Sequence, residues 1–277
     1  MKTIYLLCIS MIILFGSCAK TTHFGTMPNQ PMFNGALQAQ ATAGLGLDHV
    51  EAQGAISVLP FLGFTGNVFK GTKNRRFYEY GANLFVPFNK KTFFLSLGIG
   101  KGEGKFDGKV TTESAIFGIS ESYYINSKFS STYIQPSIYY SIKEKGGYSR
   151  FNIGIGVKHE EFSFKKFDIS FHSTSGQSYY NYAFYHRAIN AHSIMQTTFI
   201  AFAYENDREP IYVNAQIGKR NILKQFSTIN YKNTGFAYPS RNPLNGDENL
   251  FFQKWMLNLT VGFKIDAAKV KRLLKSL

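Results

Sequence analysis

The 277 residues of this chain suffice for one large or two ordinary domains, and 44% of them are hydrophobic, as in a folded protein. Phe 27, Tyr 17 and Gly 25 against only 17% charged residues describe aromatic strands with close backbone approaches. The net charge of +14 is scattered along the chain and forms no long basic run outside the last few residues, which argues against nucleic acid and fits a surface near anionic lipid.

Residues 1–17 read as a lipoprotein signal peptide. A spanning helix needs about 20 apolar residues, whereas the apolar region of a signal peptide needs roughly 7 to 15. The run from Ile4 to Phe15 fits the second case, with Lys2 ahead of it and the small pair Gly16-Ser17 behind. Leu14-Phe15-Gly16-Ser17-Cys18 resembles the lipobox of bacterial lipoproteins, with Phe15 where leucine is usual. That resemblance implies a lipid such as palmitate on Cys18; the alternative is a plain secretory signal. Cys8 would be removed, so Cys18 would be the one cysteine of the mature chain and no internal disulfide framework is expected.

Residues 18–34 carry Gly25, Pro28 and Pro31 with few periodic hydrophobes, which predicts a flexible tether. From 35 to 265 the pattern changes to a period of two. Leu37 to Leu45, Val50 to Val58, Tyr78 to Val86, Phe93 to Ile99, Ile134 to Ile142, Phe151 to Val157, Ile211 to Ile217 and Trp255 to Ile265 each alternate apolar with small or polar residues. Less regular strands near 61–70 and 192–205 bring the count to about ten. No apolar run after the signal is long enough for a membrane helix.

Connection lengths predict the topology. The links at Leu59-Pro60, Pro87–Lys91, Lys143–Gly147 and Asn206–Glu209 are short and fall at every second connection. Long connections are expected at 103–127, 164–191 and 222–251, all at the opposite end. The expected fold is therefore all-β, an antiparallel up-and-down β-barrel of about ten strands with the asymmetry of outer-membrane barrels.

Alternation alone does not say which face is inside. The polar face is mostly Gly, Ser, Asn, Gln and Thr, with scattered charges such as Glu51, Glu79, Lys158 and Lys254, whereas a solvated surface carries about 25–35% charged residues. These four residues are therefore expected to face the lumen of a membrane-embedded barrel. The alternative is a soluble lipocalin-like barrel, hung from its lipid, whose apolar face lines a ligand pocket.

"MPNQPMFNGALQAQATAGLGLDHVEAQGAISVLPFLGFTGN", with Pro28-Asn29, Pro31-Met32-Phe33 and Gln53-Gly54-Ala55, resembles the start of outer-membrane β-barrel lipoproteins of Bacteroidetes-type bacteria. The Gln135-Pro136-Ser137 strand is also similar. The resemblance implies a barrel and a lipid anchor in the bacterial outer membrane, and carries no activity. Beyond Ile265, residues 266–277 space Val270, Leu273, Leu274 and Leu277 as a short C-terminal helix, with Lys269, Lys271, Arg272 and Lys275 as a basic face. A helix on the membrane surface, packing against the barrel mouth and a frayed tail are all open readings.

Little chemistry is legible. His23, His49, His159, His172, His186 and His192 are dispersed without metal-ligand spacing, and no GxSxG elbow or phosphate loop occurs. Asp48-His49 at a predicted turn, with His172 and His186 of the long loops, is the nearest approach to a hydrolase at the outer face, but adjacent strand residues point to opposite faces. No cofactor, metal or catalytic residue is therefore expected. The expected function is a non-enzymatic envelope scaffold, narrow passage or loop-mediated binding protein. Its partners would be membrane lipid and, through the loops, a small molecule or envelope protein, with Tyr179, Tyr180, Tyr182 and Tyr185 of "SGQSYYNYAFYH" as contact candidates.

Overall fold

A computed structural model describes residues 26–33, 35–46, 49–71, 74–88, 92–114, 119–143, 149–175, 178–188, 191–206, 210–224, 230–232, 255–266 and 270. Cys18 and Lys254 lie outside them, as do residues 266–277 apart from Asp266 and Val270. Among the described residues there are twelve strands: β1 (Gln38–Gly46), β2 (His49–Leu59), β3 (Leu62–Gly71), β4 (Arg76–Phe88), β5 (Phe93–Ser114), β6 (Ile119–Lys143), β7 (Ser149–Ser175), β8 (Ser178–Ala188), β9 (Ala191–Asn206), β10 (Ile211–Lys224), β11 (Asn230–Lys232) and β12 (Trp255–Asp266). Every pairing between them is antiparallel.

Ten of these close into a barrel. The first seven strands pair in sequence, β7 then pairs β9, β9 pairs β10, β10 pairs β12, and β12 returns to β1. The apolar residues of the period-two pattern point outward. One row runs through the register from Val86 to Leu95, Ile138, Ile155, Ile200, Ile217 and Leu257, crossing seven strands without a polar side chain. The adjoining inward row holds Phe85, Ser96, Ser137, Gly156, Phe199, Gly218 and Met256.

The four short links join β2–β3, β4–β5, β6–β7 and β9–β10 at one end of the barrel. At the other end two stretches expected as loops are largely strand. β4 leaves β5 at the Arg76–Lys105 pair, but β5 and β6 continue as a ladder to Ser114 and Ile119. β7 shifts register against β6 near Lys128, ends its pairing with β9 at Phe164, and from Phe167 pairs β8 instead. With β11 on β8, these strands form a sheet projecting past the barrel rim. The ladder needs only backbone groups there, and away from the outward apolar row neither face must be apolar, so the sequence signal fades where the strands do not.

A second difference concerns the tether expected over 18–34. Its described part, Thr26–Phe33, runs inside the barrel and is buried throughout, with Thr26, Met27, Asn29, Gln30, Met32 and Phe33 no more than 5% exposed. Enclosed on every side, that segment has no wet face and so no period of two, and Pro28 and Pro31 keep it out of any ladder.

Candidate functional site in the barrel lumen

The lumen is built from the inward parity of each wall strand. On β4 this parity brings Phe77, Glu79, Asn83 and Phe85 inside, and on β7 it brings Asn152, Lys158, Glu160, Phe162 and Phe164. Inward glycines make room for larger neighbours. A Cβ at Gly154 would stand 2.6 Å from the Gln30 side chain, and one at Gly100 would stand 2.5 Å from the Tyr133 ring.

Three charged groups anchor the middle of the lumen. Lys158 Nζ meets Glu79 Oε2 at 2.5 Å and Glu160 Oε2 at 3.5 Å, and stands 4.7 Å from the centroid of the Tyr133 ring. All three charged side chains are buried, so each depends on the others to offset lost hydration. Nearer the short-turn end, Lys264 Nζ pairs with Glu205 Oε2 at 2.5 Å, and Arg150 Nε lies 3.3 Å from the other carboxylate oxygen of Glu205. Glu51 accepts from Gln53 Nε2 at 3.2 Å and Asn258 Nδ2 at 3.4 Å, with His49 Nε2 3.6 Å away.

The N-terminal segment is bonded into this network. Met27 N–H donates to Glu51 Oε2 at 3.4 Å, and Asn67 Nδ2 donates to Thr26 Oγ1 at 3.3 Å and to Glu79 Oε1 at 3.2 Å. Asn29 Nδ2 donates to Asn67 Oδ1 at 2.6 Å and to the Gly54 carbonyl at 3.2 Å, while its own carbonyl accepts from Gln135 Nε2 at 3.0 Å. Lys264 Nζ donates to the Met32 carbonyl at 2.5 Å, and Tyr139 OH donates to the Phe33 carbonyl at 2.6 Å. The Phe33 ring sits edge-on to Phe85 at 5.7 Å.

Aromatic groups flank the polar middle on both sides. Phe33, Phe85, Phe94, Tyr139, Phe199 and Tyr212 cluster toward the short turns, with Phe94 stacked on Tyr139 at 4.6 Å. Toward the long hairpins, Phe129 packs against Phe77, Phe162 and Phe164, each at 5.6 Å between ring centroids. Chemically, the site is a charge-paired, tightly filled interior.

Glu51, Glu79 and Lys158 are thus buried within the barrel. Tyr179, Tyr180, Tyr182 and Tyr185 belong to β8 rather than to a loop; the Tyr182 backbone pairs with Ser173 and that of Tyr185 with Ser170. Of the residues considered around His49, Asp48 and the side chains of His172 and His186 lie outside what the structure describes, while His49 itself is buried against the Phe69 ring at 4.5 Å. Among the described residues no group of three or more His, Cys, Asp or Glu is placed to hold a metal ion. Sequence reasoning missed Asn29, Asn67 and Gln135 as partners, and Glu160 as a lumenal acid. Continuing the β7 parity from Asn152 and Lys158 finds Glu160; no periodic signal finds the lumenal segment.

The chain matches no family model, and neither a similar curated protein nor a similar solved structure was found.

Proposed function

We propose that this chain is a lipid-anchored, non-enzymatic β-barrel of the bacterial outer membrane, of the lipoprotein kind its first residues resemble. It acts as a plugged scaffold that presents its projecting sheet to a small molecule or an envelope protein. The observation that carries the reading is the outward row from Val86 to Leu257. A soluble barrel hides such residues, and a lipid-facing wall requires them. Exposed rings bound the row on either side: Tyr78 and Trp255 above, and Phe88, Phe93 and Tyr140 below. Tyr78 and Phe88 are ten residues apart on β4. At about 3.3 Å per residue and a tilt of about 40° that is about 25 Å, the height of the apolar band of outer-membrane barrels. The filled lumen favours a scaffold over a passage.

The test replaces residues 1–18 with an ordinary cleavable secretory signal. The mature chain is expected to stay with outer membranes through alkaline extraction and to migrate faster unheated than heated. Release as a folded soluble protein would overturn the membrane reading in favour of a lipocalin-like barrel.

A further inference from the structure

The lumenal segment has a direction. β2 runs from the long-hairpin end toward the short turns, and along it Met27 meets Glu51, Asn29 meets Gly54, and the Gly35 carbonyl accepts from Ser57 Oγ at 2.7 Å. β6 runs the same way, and there Asn29 meets Gln135 and Phe33 meets Tyr139. Four residues of the segment advance past four residues of a strand, so it is nearly extended. It descends toward the short turns, so Thr26 is its end nearer the projecting sheet.

The reach of the chain then limits where Cys18 can go. Thr26 lies eight residue steps beyond Cys18, and at about 3.3–3.6 Å per step they span no more than about 29 Å. Thr26 lies level with Asn67, four residues below the top of β3, so the rim is about 13 Å away at 3.3 Å per residue. Crossing a wall about 10 Å thick brings the total to about 23 Å, within reach. Descending the outside of an apolar band about 25 Å tall would bring it to about 48 Å, and would leave backbone groups unpaired in lipid. The way back down the lumen is blocked by the segment itself.

We infer that the N-terminus of the mature chain leaves the barrel on the side of the projecting sheet, so that acyl chains on Cys18 enter the leaflet at that end. In an outer-membrane barrel with short periplasmic turns, this is the cell-surface leaflet. The inference rests on the membrane reading above, and its test separates the two. Thr22→Cys, Gly146→Cys and Gly176→Cys are made singly in the full-length chain; Gly146 lies in the β6–β7 connection and Gly176 in the β7–β8 connection. Each is treated with a membrane-impermeant maleimide on intact cells and again after the outer membrane is permeabilised.

The expected result is that Thr22→Cys reacts in step with Gly176→Cys, while Gly146→Cys becomes reactive on the opposite schedule. A Thr22→Cys that follows Gly146→Cys, or that reacts in neither state, overturns the threading while leaving the membrane barrel standing. If Gly146→Cys and Gly176→Cys react alike in both states, the membrane reading fails and the inference falls with it.

Discussion

Asn29 and Asn67 meet inside the barrel, with 2.6 Å between Nδ2 of the first and Oδ1 of the second, and the same Asn67 donates to Glu79. One wall amide thus joins the buried charge pair to the segment that fills the lumen.

Replacing that amide should loosen both. Asn67→Leu leaves Asn29 and Glu79 each short of a buried partner, at about 1–3 kcal/mol for each group left unsatisfied. The expected outcome is a lower temperature for the loss of heat-modifiable migration, with Asn83→Leu on the neighbouring wall strand as a comparison that leaves the segment's bonds intact.

Lys158→Met strands Glu79 and Glu160 together in the interior. Breaking a buried pair from one side costs about 3–5 kcal/mol. Unfolding in urea, followed by the emission of the single tryptophan, Trp255, should show a loss of that size. Adding Glu79→Gln and Glu160→Gln should recover part of it; an unchanged single variant would mean that the lysine is not paired.

If the lumenal segment is what fills the barrel, exchanging residues 26–33 for a glycine-serine stretch of equal length should raise ion conductance across planar bilayers above that of the intact protein. Equal conductance would place the closure in the aromatic clusters instead.

Ile155→Arg puts a charge in the middle of the outward row, where lipid would cost it about 2–4 kcal/mol, while Thr132→Arg near the upper rim should cost about 0–1 kcal/mol. The measured quantity is the yield of folded barrel in the membrane. Equal tolerance at both positions would favour a water-facing wall.

The pair Tyr124–Asp107 lies on the projecting hairpin, exposed, with the phenol donating to the carboxylate at 2.6 Å. The bond to Asp107, and then its charge, hold the Tyr124 hydroxyl above the usual tyrosine range. The bond therefore supports the fold below the ordinary tyrosine pKa and is lost as pH rises through the higher folded value. Ring-carbon NMR should show Asp107→Asn moving the Tyr124 titration downward.

Most of the wall was legible because each wall strand separates two environments, and residues such as Val213 and Asn214 record that separation in alternate positions. Glu51, Glu79 and Lys158 could be singled out for the same reason, as rare charges among small polar residues. The projecting strands look like loops in the sequence because, beyond the rim, neither face of a stretch such as "GKVTTES" must be apolar. Thr26–Phe33 looks like a tether in the sequence because a chain enclosed on all sides has no face to repeat. Inward Gly154 leaves the space that Gln30 of the segment takes, whereas inward Gly98, Gly100 and Gly156 make room for the wall side chains Asn83, Tyr133 and Phe199, so glycine alone does not single the segment out.

The seam between β1 and β12 joins the barrel's first and last strands, from Gln38–Asp266 to Gly46–Asn258. Between Phe33 and β1 there are only four residues, including Leu37 at a φ of 52°. Such a pairing joins strands from opposite ends of the sequence and is slow to form. A ring sealed before Thr26–Phe33 was inside would have to take that segment in through its own packed centre. An order in which the contents are laid down first and the C-terminal strand shuts them in avoids that passage.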